Sequence, residues 1–180
     1  MTISRRQLLG LSAGAGLIAA TGHWHPLLAK TQTRLMTTIP SSGEQLPSVG
    51  IGTRDFRSTA NADDMQRFRK TLEVFHASGG QVIDTSPNYG ESETVIGSLL
   101  RDLGIRDDVF MATKVDREDQ EQGVERMNRS FELLGGDQID LMQVHNLRGT
   151  EAELETMKNW KAEGRFRYLG VTTHRPRQYE

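Results

Sequence analysis

The chain has no cysteine, which excludes disulfides and thiolate metal sites and leaves the redox compartment unreadable from that residue type. It has no marked excess of charge. With 22 Lys and Arg against 24 Asp and Glu, the net charge is -2, and the two signs are interspersed along the sequence. Such a surface gives no electrostatic ground for binding nucleic acid or an acidic partner, so no nucleic-acid partner is expected. There is also no long hydrophobic run. The apolar stretch within residues 8–20 is rich in Gly and Ala and only about 13 residues long, against the roughly 20 that a membrane-spanning helix needs. What is present, 36% hydrophobic and 26% charged residues over a length of 180, is the composition of an ordinary globular protein with one folded domain.

The short apolar stretch follows Arg5 and Arg6, and basic followed by apolar is the order of a signal peptide. Ser4-Arg5-Arg6-Gln7-Leu8-Leu9 resembles the twin-arginine export motif. We therefore expect residues 1–29 to be a signal peptide cleaved after Ala29, recognition by the twin-arginine (Tat) export machinery, and a periplasmic or otherwise exported location for residues 30–180. His23-Trp24-His25 lacks a third ligand nearby, so no metal site is expected.

From Arg34 onward a short strand, the turn Ser41-Ser42-Gly43-Glu44 and a second short strand suggest a β-hairpin. Continuous apolar runs then recur at 49–53, 81–84, 109–113, 139–145 and 167–172, as expected of strands buried on both faces. Between them lie patterns with one apolar face each. The first is Met65, Phe68, Leu72 and Phe75; the second is Val95, Ile96, Leu99, Leu100 and Leu103. The third is Val124, Met127, Phe131 and Leu134; the fourth is Leu154, Met157 and Trp160. Gly79, Gly104, Gly135 and Gly164 mark the helix exits, and Thr150 with Glu153 reads as a capping box. Repeating strand and helix units predict a parallel sheet, as either a doubly wound sheet or a (β/α)8 barrel.

In either architecture the reactive side chains gather at the C-terminal ends of the strands. Standing there are Gly52, Thr53 and Arg54, then Asp84, Lys114, His145, and Thr172 with Thr173, while Tyr89 lies in the loop after Asp84. A phenol titrates near pH 10 and donates a proton sluggishly at neutrality. An ammonium about 4 Å away favours the phenolate by roughly 1 to 4 kcal/mol, or one to three pKa units. Lys114 is the candidate for that charge, and a carboxylate at Asp84 keeps a buried lysine protonated. Tyr89 is then the candidate donor to a developing alkoxide. The charged stretch 116–126 reads as a solvated helix entrance, and His76 and His174 have no evident partner.

The run Gly80-Gln81-Val82-Ile83-Asp84-Thr85-Ser86-Pro87-Asn88-Tyr89-Gly90-Glu91-Ser92-Glu93 closely resembles the aldo/keto reductase signature around its catalytic Asp and Tyr. Ala112-Thr113-Lys114-Val115 is similar to that family's lysine segment, and Gln143-Val144-His145-Asn146 to its histidine segment. Residues 164–172 resemble the approach to its fifth strand. The resemblance implies a (β/α)8 barrel that uses NADPH to reduce an aldehyde or ketone to an alcohol. It also implies the roles: Tyr89 as general acid, Lys114 and Asp84 tuning it, and His145 orienting the carbonyl. Cofactor contacts implied within this chain are Gly52, Thr53, Arg54, Asp84, Thr172 and Thr173. Two positions depart from the common pattern: Arg54 stands where relatives often carry an aromatic, and Thr172-Thr173 where many have Ser-Asn.

Eight such units and a hairpin need roughly 250 residues, so about the first five strands and four helices are expected here. The expectation that follows is a truncated reductase. A half-barrel completed by a second chain, self-associating through its open edges, and a non-catalytic remnant that binds without turnover are the alternatives.

Overall fold

The structure, a computed structural model, describes residues 34–57, 59 and 61–178. The signal peptide expected at 1–29 lies outside the described residues. The hairpin forms as expected: β1 (Met36–Thr38) pairs antiparallel with β2 (Gln45–Pro47), Thr37 standing opposite Leu46. Its turn is closed by the Gly43 amide donating to the Ile39 carbonyl at 2.9 Å.

Five parallel strands follow in one sheet: β3 (Ile51–Gly52), β4 (Val82–Asp84), β5 (Phe110–Val115), β6 (Ile139–Val144) and β7 (Phe166–Val171). They are joined in turn by α1 (Ala62–Ala77), α2 (Ser92–Leu103), α3 (Gln120–Leu134) and α4 (Thr150–Ala162). Spatial order equals chain order. A doubly wound sheet reverses direction at a switch point, whereas a barrel adds each strand beside the last. The periodicity left these two open, and the strand order decides for the barrel.

Register decides which side chains share a face. Gly52 pairs with Asp84, Asp84 with Ala112, Lys114 with Gln143 and Gln143 with Gly170. Side chains alternate along a strand, so Lys114, two residues beyond Ala112, stands on the face of Asp84. His145 follows Gln143 by the same step. β3 is shorter than the expected 49–53, although the Thr53 amide still donates to the Asp84 carbonyl at 3.0 Å. β5 runs on through Lys114 to Val115, and all six of its residues are buried.

The helices bury the expected faces in three cases. Leu72 of α1, Val95, Ile96, Leu99 and Leu100 of α2, and Met127 and Leu134 of α3 belong to the core. The exits at Gly79, Gly104, Gly135 and Gly164 all have positive φ, the backbone region that suits a helix C-terminus.

α4 departs from expectation. Leu154 is exposed, while Glu153, Thr156 and Met157 are buried. The Thr150 and Glu153 capping box does not form. Gly149 is the N-cap with φ 75°, and the Thr150 hydroxyl donates to the Leu147 carbonyl at 3.0 Å. The cause is the approach of the neighbouring loop: a Cβ on Gly149 would lie 1.7 Å from the Arg117 carbonyl oxygen. Glu153 turns instead into the space beside Gly123, where an added Cβ would meet its carboxylate at 2.0 Å. Neither Glu153 oxygen has a side-chain hydrogen-bond partner among the described residues; the Arg117 backbone lowers its pKa, but burial outweighs this and pushes it up from the usual 4.5 to about 7.

Two clamps tie the layers together. At the start of β7 the Arg165 guanidinium lies 3.3 Å from the Trp160 ring centroid and 4.7 Å from that of Phe131. Arg167 donates to Glu44 at 2.6 Å and to Asp140 at 2.5 Å, and the Tyr168 hydroxyl donates to Ser42 at 2.7 Å. The hairpin is thereby held against the N-terminal ends of β6 and β7, opposite the end that carries Asp84 and His145.

Candidate active site

The C-terminal ends of β4, β5 and β6 place three polar side chains on the face fixed by the register. Lys114 is only 5% exposed, and its ammonium donates to Asp84 Oδ1 at 2.6 Å and to the Thr85 carbonyl at 2.7 Å. A buried ammonium without such partners would tend to lose its proton. Gln143 donates to the other Asp84 oxygen at 3.3 Å, so the carboxylate is held on both sides.

Tyr89 arrives from the β4–α2 loop. Its ring centroid is 5.2 Å from the Lys114 ammonium and 6.2 Å from the His145 ring, which it meets edge-on at 88°. The loop is pinned rather than free. The Ser92 hydroxyl donates to the Thr53 carbonyl at 3.0 Å, and the Glu91 amide donates to the Arg57 carbonyl at 2.9 Å. Gly90 has φ 65°, and a Cβ there would meet the Arg57 carbonyl oxygen at 3.0 Å.

His145 is half-buried. Burial, followed by the nearby Lys114 charge, lowers its pKa, so the ring is neutral at pH 7 and offers one N–H and one acceptor nitrogen. Ser86 Oγ is 3.3 Å and Asn88 Nδ2 3.4 Å from its Nδ1. Asn146 and Leu147 follow with φ of 58° and 57°. A bulky residue in this region is a genuine outlier, and such backbone persists where its surroundings over-determine it. Here the Asn146 amide donates to Thr172 Oγ1 at 3.0 Å and the Arg148 amide to the His145 carbonyl at 3.1 Å.

A cavity of about 720 Å³ opens over these groups, lined in part by Arg54, Tyr89, Lys114, His145, Thr172 and Thr173. Its volume suits a small-molecule ligand. Gly52, Thr53 and Asp84 stand outside that lining. Thr53 is fully buried, and its hydroxyl donates to the Asp84 carbonyl at 3.0 Å. Thr172 Oγ1 accepts from the Asn146 amide at 3.0 Å, and Thr173 Oγ1 donates to Gln178 and accepts from the Arg175 amide at 3.1 Å. Among the described residues no group of three or more His, Asp and Glu is placed to hold a metal ion.

Sequence reasoning missed a supporting network. Asn88 donates to Asp116 Oδ2 at 2.6 Å, Arg126 donates to Asn88 Oδ1 at 3.0 Å, and Arg117 donates to Asp116 Oδ1 at 2.6 Å. The stretch 116–126 is therefore more than a solvated helix entrance. Its ends, Asp116 and Arg126, brace the Tyr89 loop. The two histidines read as partnerless both have partners: His76 Nε2 is 2.9 Å from Asp108, and His174 Nδ1 is 3.0 Å from Asn146. One signal for Gln143 was available, since it precedes His145 by two on the same strand.

A sheet wound in one direction, with a polar cluster at the C-terminal ends of its strands, belongs to the (β/α)8 barrel class. Comparison with known proteins narrows this. The aldo/keto reductase family model matches residues 48–180, and the chain belongs to that family of oxidoreductases. It is 34% identical over 131 residues to aldo-keto reductase str7 of Strobilurus tenacellus, covering 68% of this chain and 38% of that protein. With aldo-keto reductase YhdN of Bacillus subtilis it shares 30% over 152 residues, covering 76% of this chain and 46% of the relative. The chain thus spans less than half the length of these curated relatives. A putative aldo-keto reductase structure from Pseudomonas aeruginosa superposes with TM-score 0.68 at 27% identity, covering 77% of this chain and 59% of that one. The partial barrel and its hairpin are therefore those of an aldo/keto reductase.

Proposed function

We propose that this chain carries the acid half of a carbonyl-reducing site, which converts an aldehyde or ketone to an alcohol with NADPH as reductant. The observation that carries the reading is the buried Lys114, held by Asp84 at 2.6 Å and standing 5.2 Å from the Tyr89 ring. Thr172 and Thr173, with Asn146, are the residues that would hold the nicotinamide end, and the bound cofactor supplies the hydride. Tyr89 donates the proton to the carbonyl oxygen as negative charge develops there. Lys114 stabilises the phenolate that remains, and Asp84 keeps Lys114 charged. Neutral His145 donates a hydrogen bond to the carbonyl oxygen and fixes its orientation.

The test is a fluorescence titration of the chain with NADPH, followed by a carbonyl-reduction assay of Tyr89→Phe. Saturable micromolar binding and a rate lowered by about 10²- to 10⁴-fold are expected. Binding without any loss of rate in Tyr89→Phe would remove Tyr89 from the role. We propose further that the chain is exported in folded form through the twin-arginine pathway, Arg5 and Arg6 being the recognition pair. Arg5→Lys with Arg6→Lys is expected to retain the protein in the cytoplasm, which cell fractionation reads.

A further inference from the structure

The cavity over Tyr89 is lined by Arg54, Arg57, Lys114, His145 and His174, and by no Asp or Glu. The three fixed cations among them, Arg54, Arg57 and Lys114, are not equally available. Lys114 is neutralised by Asp84 at 2.6 Å. Arg57 Nε donates to the Arg54 carbonyl at 2.9 Å, and its guanidinium faces Asp55 at 3.9 Å. Arg54 is exposed, and its guanidinium makes no ion pair or hydrogen bond with any other described residue. It is the one arginine of the lining whose planar fork is uncommitted.

The segment that carries Arg54 is held firmly. Thr53 donates twice to the Asp84 carbonyl, through its amide and its hydroxyl, each at 3.0 Å. The Phe56 amide donates to the Thr53 carbonyl at 2.9 Å, and the Phe56 ring stacks on Phe68 with centroids 4.4 Å apart. The Arg57 carbonyl is held by the Glu91 amide, two residues after Tyr89. Arg54 is thus presented on backbone that is tied to both the Asp84 strand end and the Tyr89 loop. A cavity of about 720 Å³ admits a small oxo-acid. A guanidinium fork matches a carboxylate in two parallel hydrogen bonds, and a lone ammonium does not.

We propose that Arg54 determines substrate specificity: it receives the carboxylate of an aldehyde- or keto-acid whose carbonyl meets Tyr89. The inference rests on the carbonyl-reducing reading of the site. The resemblance places Arg54 among the cofactor contacts instead, and the experiment separates these two roles.

Binding of phenylglyoxylate and of its methyl ester to the full chain is measured by calorimetry, with and without NADP, beside a separate NADPH titration. Wild type binds the acid about three- to tenfold tighter than the ester, a preference that shrinks with added salt. Arg54→Leu brings the ratio to near one, Arg54→Lys leaves an intermediate ratio, and Tyr89→Phe keeps the preference while losing turnover. Equal affinity for acid and ester in wild type, no saturable binding of the acid, or an unchanged ratio in Arg54→Leu overturns the proposal. So does a loss of NADPH affinity in Arg54→Leu with the acid preference intact, which assigns the arginine to the cofactor. An Arg54-dependent acid preference without NADPH oxidation by any variant leaves the anion subsite standing and refutes the carbonyl-reducing reading.

Discussion

Lys114 and Glu153 are both buried, and the structure treats them oppositely. Lys114 has a carboxylate and a carbonyl within 2.7 Å, so Lys114→Met is expected to cost about 1 to 3 kcal/mol by stranding acceptors, which urea unfolding measures. Glu153 has no such partners. An unfolded chain releases this proton near pH 4.5, whereas the folded one retains it to about 7. Between these values the unfolded state binds fewer protons, so stability falls as pH rises. The contribution is complete below about 4.5 and gone above about 7. The groups around it that carry charge, Arg117, Asp116 and Asp119, sit at the same helix junction. Glu153→Gln is expected to remove on the order of 2 kcal/mol of this pH-dependent loss, read by denaturation at pH 5 and pH 8. Part of the slope remains, because burial also raises the Glu93 carboxyl. A slope identical to wild type in the Gln variant would count against the assignment. His145 adds the opposite case at the site itself: its lowered pKa keeps the ring neutral, so its hydrogen bonding is expected to be lost only on acidification.

At the scale of elements, the start of α4 is the most constrained junction. Gly149 combines φ 75° with a neighbour that would stand 1.7 Å from a Cβ, while Gly164 has φ 81° with open space around it. Gly149→Ala is therefore expected to cost more than Gly164→Ala, about 3 kcal/mol against about 1 kcal/mol; equal losses in thermal unfolding would show that the loop yields. The same junction marks the limit of what the sequence revealed. Thr150 and Glu153 match a capping box locally, but whether the glutamate folds back or inward depends on Gly123 of α3, which no local pattern reports. The apolar faces of α1, α2 and α3 were readable because helical periodicity is local. On α4 the expected Met157 and Trp160 do pack on the core and Leu154 alone stays out, because the Glu153 carboxylate is what α3 accommodates there. Asp84, Lys114 and His145 were readable for a related reason. Each stands at or beside the C-terminal end of a strand, and alternation brings such positions to one face. Asn88, Asp116 and Arg126 were not, since their contacts join two loops and the α3 helix at separations that no local pattern reports.

For the molecule as a whole, strand order follows chain order, and the hairpin is attached by side chains rather than by continuing the sheet. Arg167 is the hub, bridging Glu44 at 2.6 Å and Asp140 at 2.5 Å. Partly exposed pairs of this kind contribute about 1 kcal/mol or less each, so Arg167→Met is expected to loosen the hairpin without unfolding the sheet. Hydrogen exchange checks this: the Ile39 and Gly43 amides of the turn should exchange faster while those of β5 and β6 hold their rates. Concerted acceleration everywhere would mean that hairpin and sheet unfold as one cooperative unit.

The contact of Arg165 with Trp160 has a spectroscopic consequence. The chain has two tryptophans, of which Trp160 is the one among the described residues. Trp160 is capped by a guanidinium 3.3 Å from its ring and lies outside the cavity lining. Its emission is therefore sensitive to the docking of α4 on β7. Separation of α4 from β7 on unfolding uncovers that ring, and the emission should shift as it does.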